Sequence, residues 1–234
     1  MQLATMPLDR VPVVSLDLET TGLRAGSDRI IQIGAIGGAD AEPFDALVNP
    51  GLPIPPASTR IHGISDAMVS GAEALPLVLP RLRAVLSDKL ILGFNIGFDL
   101  AVLDAEAERH GLDWSWTAAL CLRQLATRLL GPEAMMMLAD LEALAAHFEV
   151  PVTDRHTARG DAAITLAIYQ RMLPALAGQG IVTLGDAWRE VARLDSLRQT
   201  NVAAGWVDVA AAHAAPQDHA PLARIDPYPY QHRI

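Results

Sequence analysis

The chain of 234 residues is poor in cysteine, lysine and aromatic side chains, and each shortage excludes something. Its single cysteine, Cys121, rules out an intrachain disulfide and fits a reducing compartment. Lys89 is the only lysine, so positive charge rests almost wholly on arginine, and the formal net charge is −9. Binding to long duplex nucleic acid draws on clustered positive charge, which so acidic a chain supplies poorly. Aromatic residues are 5% of the chain against 51% hydrophobic residues overall, so the core must be built from Ala, Leu, Val and Ile. Such a composition suits helices packed on a modest sheet. No apolar stretch is long enough to span a bilayer. Met1 to Arg10 holds Asp9 and no long apolar segment, so no signal peptide is expected. These shortages together predict a cytoplasmic protein with no membrane partner.

What is present is concentrated in three short blocks. The first is Ser15-Leu-Asp17-Leu-Glu19-Thr20-Thr21-Gly22-Leu23, the second Phe94-Asn95-Ile-Gly-Phe98-Asp99, and the third His156-Thr-Ala-Arg-Gly-Asp161. Four carboxylates and one imidazole can hold two divalent cations and activate a water. Convergence depends on local structure. Val11 to Leu18 reads as a largely buried strand, and residues two apart on a strand share a face, so Asp17 and Glu19 point together. Adjacent acids repel unless a cation lies between them. The alternative is a strand end running into a polar turn.

Asp99 follows the apolar run from Lys89 to Phe94 and falls within the first turn of a helical pattern that Asn95 can cap. An acid there is also favoured by the helix dipole alone. His156 lies in a polar loop, where a histidine suits a general base, and where a surface histidine is equally at home. Asp161 opens a helical pattern through Ile164, Ile168 and Met172.

Taken jointly, the blocks resemble the DEDDh family of 3′–5′ exonucleases, the group that includes the proofreading epsilon subunit of bacterial DNA polymerase III. That family carries DxETTGL, NxxFD and HxAxxD in this order, and His156 places the chain with its histidine branch. The resemblance spans about 11–176. It implies that Asp17, Glu19, Asp99 and Asp161 bind two Mg2+ or Mn2+ ions and that His156 deprotonates the attacking water. It further implies that Thr20, Thr21, Gly22 and Leu23 form the turn gripping the terminal nucleotide, with Leu23 wedged beside the last base. Asn95, Phe98 and His62 join them as candidate substrate contacts. For His62, in Arg60-Ile-His-Gly-Ile64, a place at the start of a helix capped by Ser65 is the other reading. Phe98 packs on the terminal nucleoside or on the core. Arg24, Arg60, Arg155 and Arg159 flank the blocks and can contact phosphates, although solvated surface suits any one of them.

Two positions depart from the family pattern. Phe94 stands where many relatives have His, and Ala119-Leu120-Cys121-Leu122 where they tend to carry an Asp-Thr pair. The first implies altered packing, and the second a lost support for the metal ligands.

The expected order is strands at 11–18, 29–38, 43–48, 89–94 and 115–120. Helices are expected near 76–87, 98–110, 121–130, 138–148 and 160–176. This is an α/β three-layer pattern. By resemblance it is the ribonuclease H-like fold, with a mixed five-stranded sheet flanked by helices. Met135-Met136-Met137 is read as core filling or a loop before Leu138. The exonuclease domain is set at 1–176. A helical extension follows at 177–202, capped at Thr183, with Leu184, Trp188, Val191 and Leu197 on one face. An Ala- and Pro-rich tail fills 203–234, and Arg224 to Ile234 loosely resembles a segment that precedes nucleotide-sensing CBS domains, so a linker to a further domain is expected there.

The function implied by the resemblance is removal of nucleoside 5′-monophosphates from 3′ ends of single-stranded DNA, with RNA and short oligonucleotides as other candidates. A polymerase or a C-terminal nucleotide-sensing domain are the candidate partners of such a bacterial protein. The competing reading is a nucleotide-end-binding or regulatory module with weak catalysis.

Overall fold

A computed structural model describes residues 3–38 and 42–203. Its centre is a six-stranded sheet in the order β4-β3-β2-β1-β5-β6, formed by β1 (Val13–Thr20), β2 (Ile30–Ile36), β3 (Phe44–Asn49), β4 (Glu73–Ala74), β5 (Leu90–Gly93) and β6 (Ala118–Cys121). The mixed α/β architecture agrees with expectation. The extra strand is β4, two residues parallel to the end of β3, too short to leave an alternating pattern. β1 pairs antiparallel with β2 and parallel with β5, so it lies where the sheet changes character.

Alternation along the strands sorts the core. Val14, Leu16 and Leu18 join Ile91, Ala119 and Cys121 against α3 (Leu75–Leu86) and α4 (Ile96–His110). On the other face Leu90, Leu92, Ala118 and Leu120 meet α5 (Leu122–Leu130), α7 (Leu141–His147), α8 (Ala158–Gly178) and α9 (Leu184–Ala203). Strands buried on both faces have no polar side, which is why they read as continuous apolar runs. Ser15, Asp17 and Glu19 break the run on the α8 side.

Three short helices fall outside the expected order: α1 (Pro56–His62), α2 (Asp66–Val69) and α6 (Pro132–Met137). Within α6 Met135 is core filling, whereas Met136 and Met137 are exposed. α7 starts later than expected because the Asp140 side chain accepts from Ala143 N–H and opens a new helix. Thr183 caps α9 as expected: its Oγ1 accepts from Asp186 N–H while Asp186 accepts from Thr183 N–H, a reciprocal capping pair. α9 packs into the same apolar cluster as α5 through Leu184, Ala187 and Val191, and Trp188 Nε1 donates to Ala119 O at 2.9 Å. The side chain of Leu197 and the whole 204–234 tail lie outside the described residues. No helix among the described residues is long and apolar enough to cross a membrane.

Candidate active site

Asp17 and Glu19 lie directly opposite Gly34 and Gln32 across the β1-β2 pair. Gly34 is required there. A Cβ would sit 2.2 Å from the Ala158 backbone carbon, so only glycine lets the start of α8 rest on the sheet. Gln32 completes the contact: its Oε1 accepts from Ala158 N–H at 3.1 Å, and its Nε2 donates to Asp45 Oδ1 at 2.9 Å. The helix start is also capped locally, with Thr157 Oγ1 accepting from Gly160 N–H at 3.0 Å. Gly160 admits no side chain, since its Cβ would meet Asp154 O at 2.1 Å. The HTARGD block thus contains its own cap and close-approach glycine. Asp161 is thereby delivered to the acids of β1, and carboxylate oxygens of Asp17, Glu19 and Asp161 lie within 4.8 Å of one another.

Asp99 stands in the first turn of α4, near enough for its charge to act on Asp17. Its Oδ1 accepts from Leu18 N–H at 3.1 Å, which ties the helix to β1 between the two strand acids. Asn95 occupies the N-cap position, but its side chain makes no capping bond. Phe98 N–H is satisfied by the Asn95 carbonyl instead, at 3.0 Å, and the Asn95 amide is left exposed. Ser65 departs in the same way: its carbonyl, not its hydroxyl, accepts from Met68 and Val69 at the start of α2. His156 is exposed, with its backbone in the left-handed region at φ 62° and its N–H donating to Asp161 Oδ1 at 3.3 Å.

Crowding shows in the protonation equilibria. Burial, then the charges of Asp99, Asp161 and Glu19, raise Asp17 well above the usual carboxylate range, and Arg155 opposes this. Burial and then Asp161 push Glu19 up to about 8. Burial pushes Asp99 to about 7 against the hydrogen bonds from its own and the Leu18 backbone. Asp161 is raised by burial, with Arg155 the main opposing charge. An all-carboxylate donor set fits hard divalent cations, and the mutual repulsion is what such a cation would relieve.

Arg155 is the residue that reading the sequence undervalued. It is not solvated surface: its Nη1 pairs with Asp161 Oδ2, and its Nε is buried with no partner in the structure. The available signal was its position six residues before an acid already assigned to a charge cluster. Arg24, Arg60 and Arg159 are exposed, as expected of surface.

The neighbouring turn after β1 is held by polar bonds. Thr20 and Thr21 are buried; Thr20 Oγ1 donates to Gly22 O, and Thr21 N–H donates to Arg29 O at 2.9 Å. Asp28 accepts from Arg24 N–H at 2.7 Å and from Thr21 Oγ1 at 3.3 Å. A Cβ on Gly22 would stand 2.7 Å from the Asp28 carboxylate, so glycine keeps the turn closed. Ser58 Oγ, on α1, donates to Thr21 O at 2.7 Å. Leu23 projects from this turn with 74% of its surface exposed. His62 is buried at the end of α1, and its Nδ1 accepts from Ile64 N–H at 3.0 Å. The proton of the neutral ring is therefore assigned to Nε2, which is buried and unpartnered. Burial first, and His156 second, lower its pKa. Phe98 packs partly buried on the α3-α4 side of the core. Phe94 packs on the opposite apolar cluster, and the segment Ala119 to Leu122 is fully apolar interior.

An α/β sheet with acids gathered where its central strand meets two helix starts defines a phosphodiester-hydrolase type of site. The comparisons then name the family. The exonuclease family model matches residues 14–169, and the chain belongs to that family. A DNA polymerase III subunit epsilon-like protein from Rhodobacter capsulatus is 36% identical over 195 residues, which cover 81% of this chain and 27% of that protein. A PolC-type DNA polymerase III from Caldanaerobacter subterraneus is 32% identical over 178 residues, 74% of this chain and 12% of the relative. The chain thus spans little more than a quarter of these relatives at most. Among solved structures, Exonuclease X in complex with 5′ overhanging duplex DNA matches with a TM-score of 0.58 at 25% identity, over 75% of this chain and 97% of that one. E. coli Exonuclease I in complex with a dT13 oligonucleotide shares the fold, with a TM-score of 0.63 at 21% identity over 73% of this chain and 42% of that one.

Proposed function

We propose that this chain is a metal-dependent 3′–5′ exonuclease that shortens single-stranded nucleic acid and releases nucleoside 5′-monophosphates. The observation that carries the reading is the meeting of Asp17, Glu19 and Asp161 within 4.8 Å, with Asp99 bonded to the strand between them. These four acids would hold two Mg2+ or Mn2+ ions, which lower the pKa of a bound water and offset charge building on the phosphate. His156, exposed on its loop beside Asp161, accepts the proton from the attacking water. Hydroxide adds to the terminal phosphorus, the bond to the 3′ oxygen breaks, and the phosphate leaves on the 5′ position of the released nucleotide.

The turn Thr20-Thr21-Gly22-Leu23 forms the floor for the terminal nucleotide. Among the described residues no hydrogen bond engages the N–H groups of Gly22 and Leu23, which leaves both as donors to substrate. Leu23 offers an apolar edge to the last base, the exposed Asn95 amide supplies a further donor, and His62, buried at the end of α1, is a further candidate contact. Phe98, half-buried against the core, is a further candidate contact for the terminal nucleoside. Structural neighbours that carry single-stranded or overhanging DNA support this substrate class, and the polymerase III relatives support a polymerase partner.

The test is product analysis with end-labelled single-stranded DNA and RNA, with magnesium, manganese or chelator, in wild type and Asp161→Ala. Stepwise shortening from the 3′ end that requires metal and vanishes in the variant is expected. Metal-independent cleavage, internal cuts, or tight end-binding with no shortening would overturn the proposal, the last in favour of an end-binding module.

A further inference from the structure

Outside the acid cluster, the one buried carboxylate among the described residues is Glu106 on α4, 1% exposed. Three cationic or basic side chains converge on it. Arg29 Nε donates to Glu106 Oε1 at 2.7 Å, Arg109 Nη1 pairs with the same oxygen, and His110 Nε2 lies 3.7 Å from Oε2. His110 is held below its ordinary pKa by burial and by the two arginines, so its ring is neutral at pH 7 and can accept from Arg29 Nη2 at 3.0 Å. A buried carboxylate with this many donors is compensated, and removing its charge would leave two guanidinium groups unmatched.

What the cluster grips is the 21–29 turn. Arg29 closes that turn through its backbone: its N–H donates to Thr21 Oγ1 at 2.9 Å and its carbonyl accepts from Thr21 N–H. Arg109 Nη2 reaches the middle of the turn and donates to Gly26 O at 2.8 Å. The turn has almost no apolar anchor of its own, since Leu23 is 74% exposed and Ala25 is only partly buried. Its position is therefore set by these charges. Glu106 lies seven residues after Asp99, two turns along the same helix face and about 10 Å away. One rigid helix thus fixes both the metal-binding acid and the turn beneath the terminal nucleotide.

We infer that Glu106, Arg29 and Arg109 form a clasp that positions the 21–29 turn relative to Asp99 and so sets affinity for the 3′-terminal nucleotide. They are positioning residues and touch neither the metal nor the scissile phosphate. The inference rests on the nuclease reading and deepens it by assigning affinity control to residues outside the acid cluster.

Steady-state shortening of a single-stranded oligonucleotide tests it in Glu106→Gln, Arg109→Ala, Arg109→Lys and, as a control, Arg83→Ala, which removes a surface ion pair to Asp113 elsewhere on the fold. Glu106→Gln should raise KM about tenfold and Arg109→Ala about threefold, each with kcat within about twofold. Arg109→Lys should recover part of the loss, and Arg83→Ala should leave KM unchanged. Should Glu106→Gln fail to fold, the more exposed Arg109 pair still decides. Unchanged KM in the folded clasp variants, a loss confined to kcat, or an equal KM rise in Arg83→Ala overturns the clasp while leaving the nuclease reading intact. No shortening by wild type overturns both.

Discussion

The two halves of the site are built on different principles. On the proposed metal side each acid is carried by a regular element: Asp17 and Glu19 by β1, Asp99 by the first turn of α4, Asp161 by the first turn of α8. Their placement follows from sheet register and from backbone contact at Gly34, with large apolar clusters behind. On the proposed nucleotide side the 20–29 turn has no such backing and is held by Asp28, Ser58, Arg29 and Arg109. Under the proposed function, chemistry that tolerates little displacement would rest on packed backbone, whereas the surface that must accept different bases would rest on polar ties. Binding surfaces on loops over a rigid scaffold are the general expectation.

That contrast can be broken from either side. The largest effect belongs to the metal side: Asp17→Ala should lower kcat by about a thousandfold or more while oligonucleotide binding persists, measured by single-turnover cleavage beside anisotropy. Retained turnover would dissolve the distinction. Next, Gly34→Val should destabilise the fold by on the order of 2–3 kcal/mol in denaturant unfolding, because α8 must be pushed off the sheet. A silent substitution would mean that the helix start is not seated by contact.

The third separates the halves by pH. Glu19 titrates at about 8 in the metal-free fold against 4.5 in a free side chain, and Asp99 at about 7 against 3.8. Between those limits the folded state holds protons that the unfolded chain has released, so stability falls as pH rises. The melting temperature of chelator-treated protein should decline from pH 5 to pH 8. Magnesium at a hundredfold excess over its Kd should add about 2.7 kcal/mol. At one fixed magnesium concentration the gain should be larger at pH 8 than at pH 6, because metal competes with fewer protons there. A flat or rising profile without metal would contradict the carboxylate crowding. The smallest effect lies on the nucleotide side: Leu23→Ala should raise KM roughly threefold with kcat unchanged, since it removes one exposed apolar contact. A fall in kcat instead would place Leu23 in the chemistry.

Legibility in the sequence divides along the same line. β5 was readable because burial on both faces leaves an uninterrupted apolar run, β1 and β2 because apolar β-branched residues and leucine dominate them, and α8 because Ile164, Ile168 and Met172 keep helical spacing. The acids that the fold brings together were readable because their motifs are local. Helix α1 was not, since Pro55-Pro56 reads as loop although proline suits a first helical turn. β4 and α2 are too short to carry a period. The ties that locate the site join distant positions: Gln32 to Ala158 across 126 residues, and Arg29 to Glu106 across 77. No periodicity encodes such pairs, and either partner alone reads as an ordinary polar residue. The 204–234 tail, with the segment likened to a linker before nucleotide-sensing domains, falls outside the described residues.

Before β1 the chain forms a short 3-10 turn at Leu3–Thr5 and then runs alongside the start of α9. Leu8 N–H donates to Val182 O at 2.9 Å, Leu184 N–H donates to Met6 O at 3.0 Å, and Pro7 bridges to Thr183. Tyr169 Oη donates to Leu8 O from within α8 at 3.0 Å, in a setting where burial pushes the phenol pKa up. The segment matched by the family model, 14–169, therefore leaves out both sides of this seam. Trimming to those bounds would strip the seam that zips residues 6–8 to 182–184, remove Leu184, Ala187 and Val191 so that the apolar surface they cover is laid open, and turn a closed flank into a sticky one.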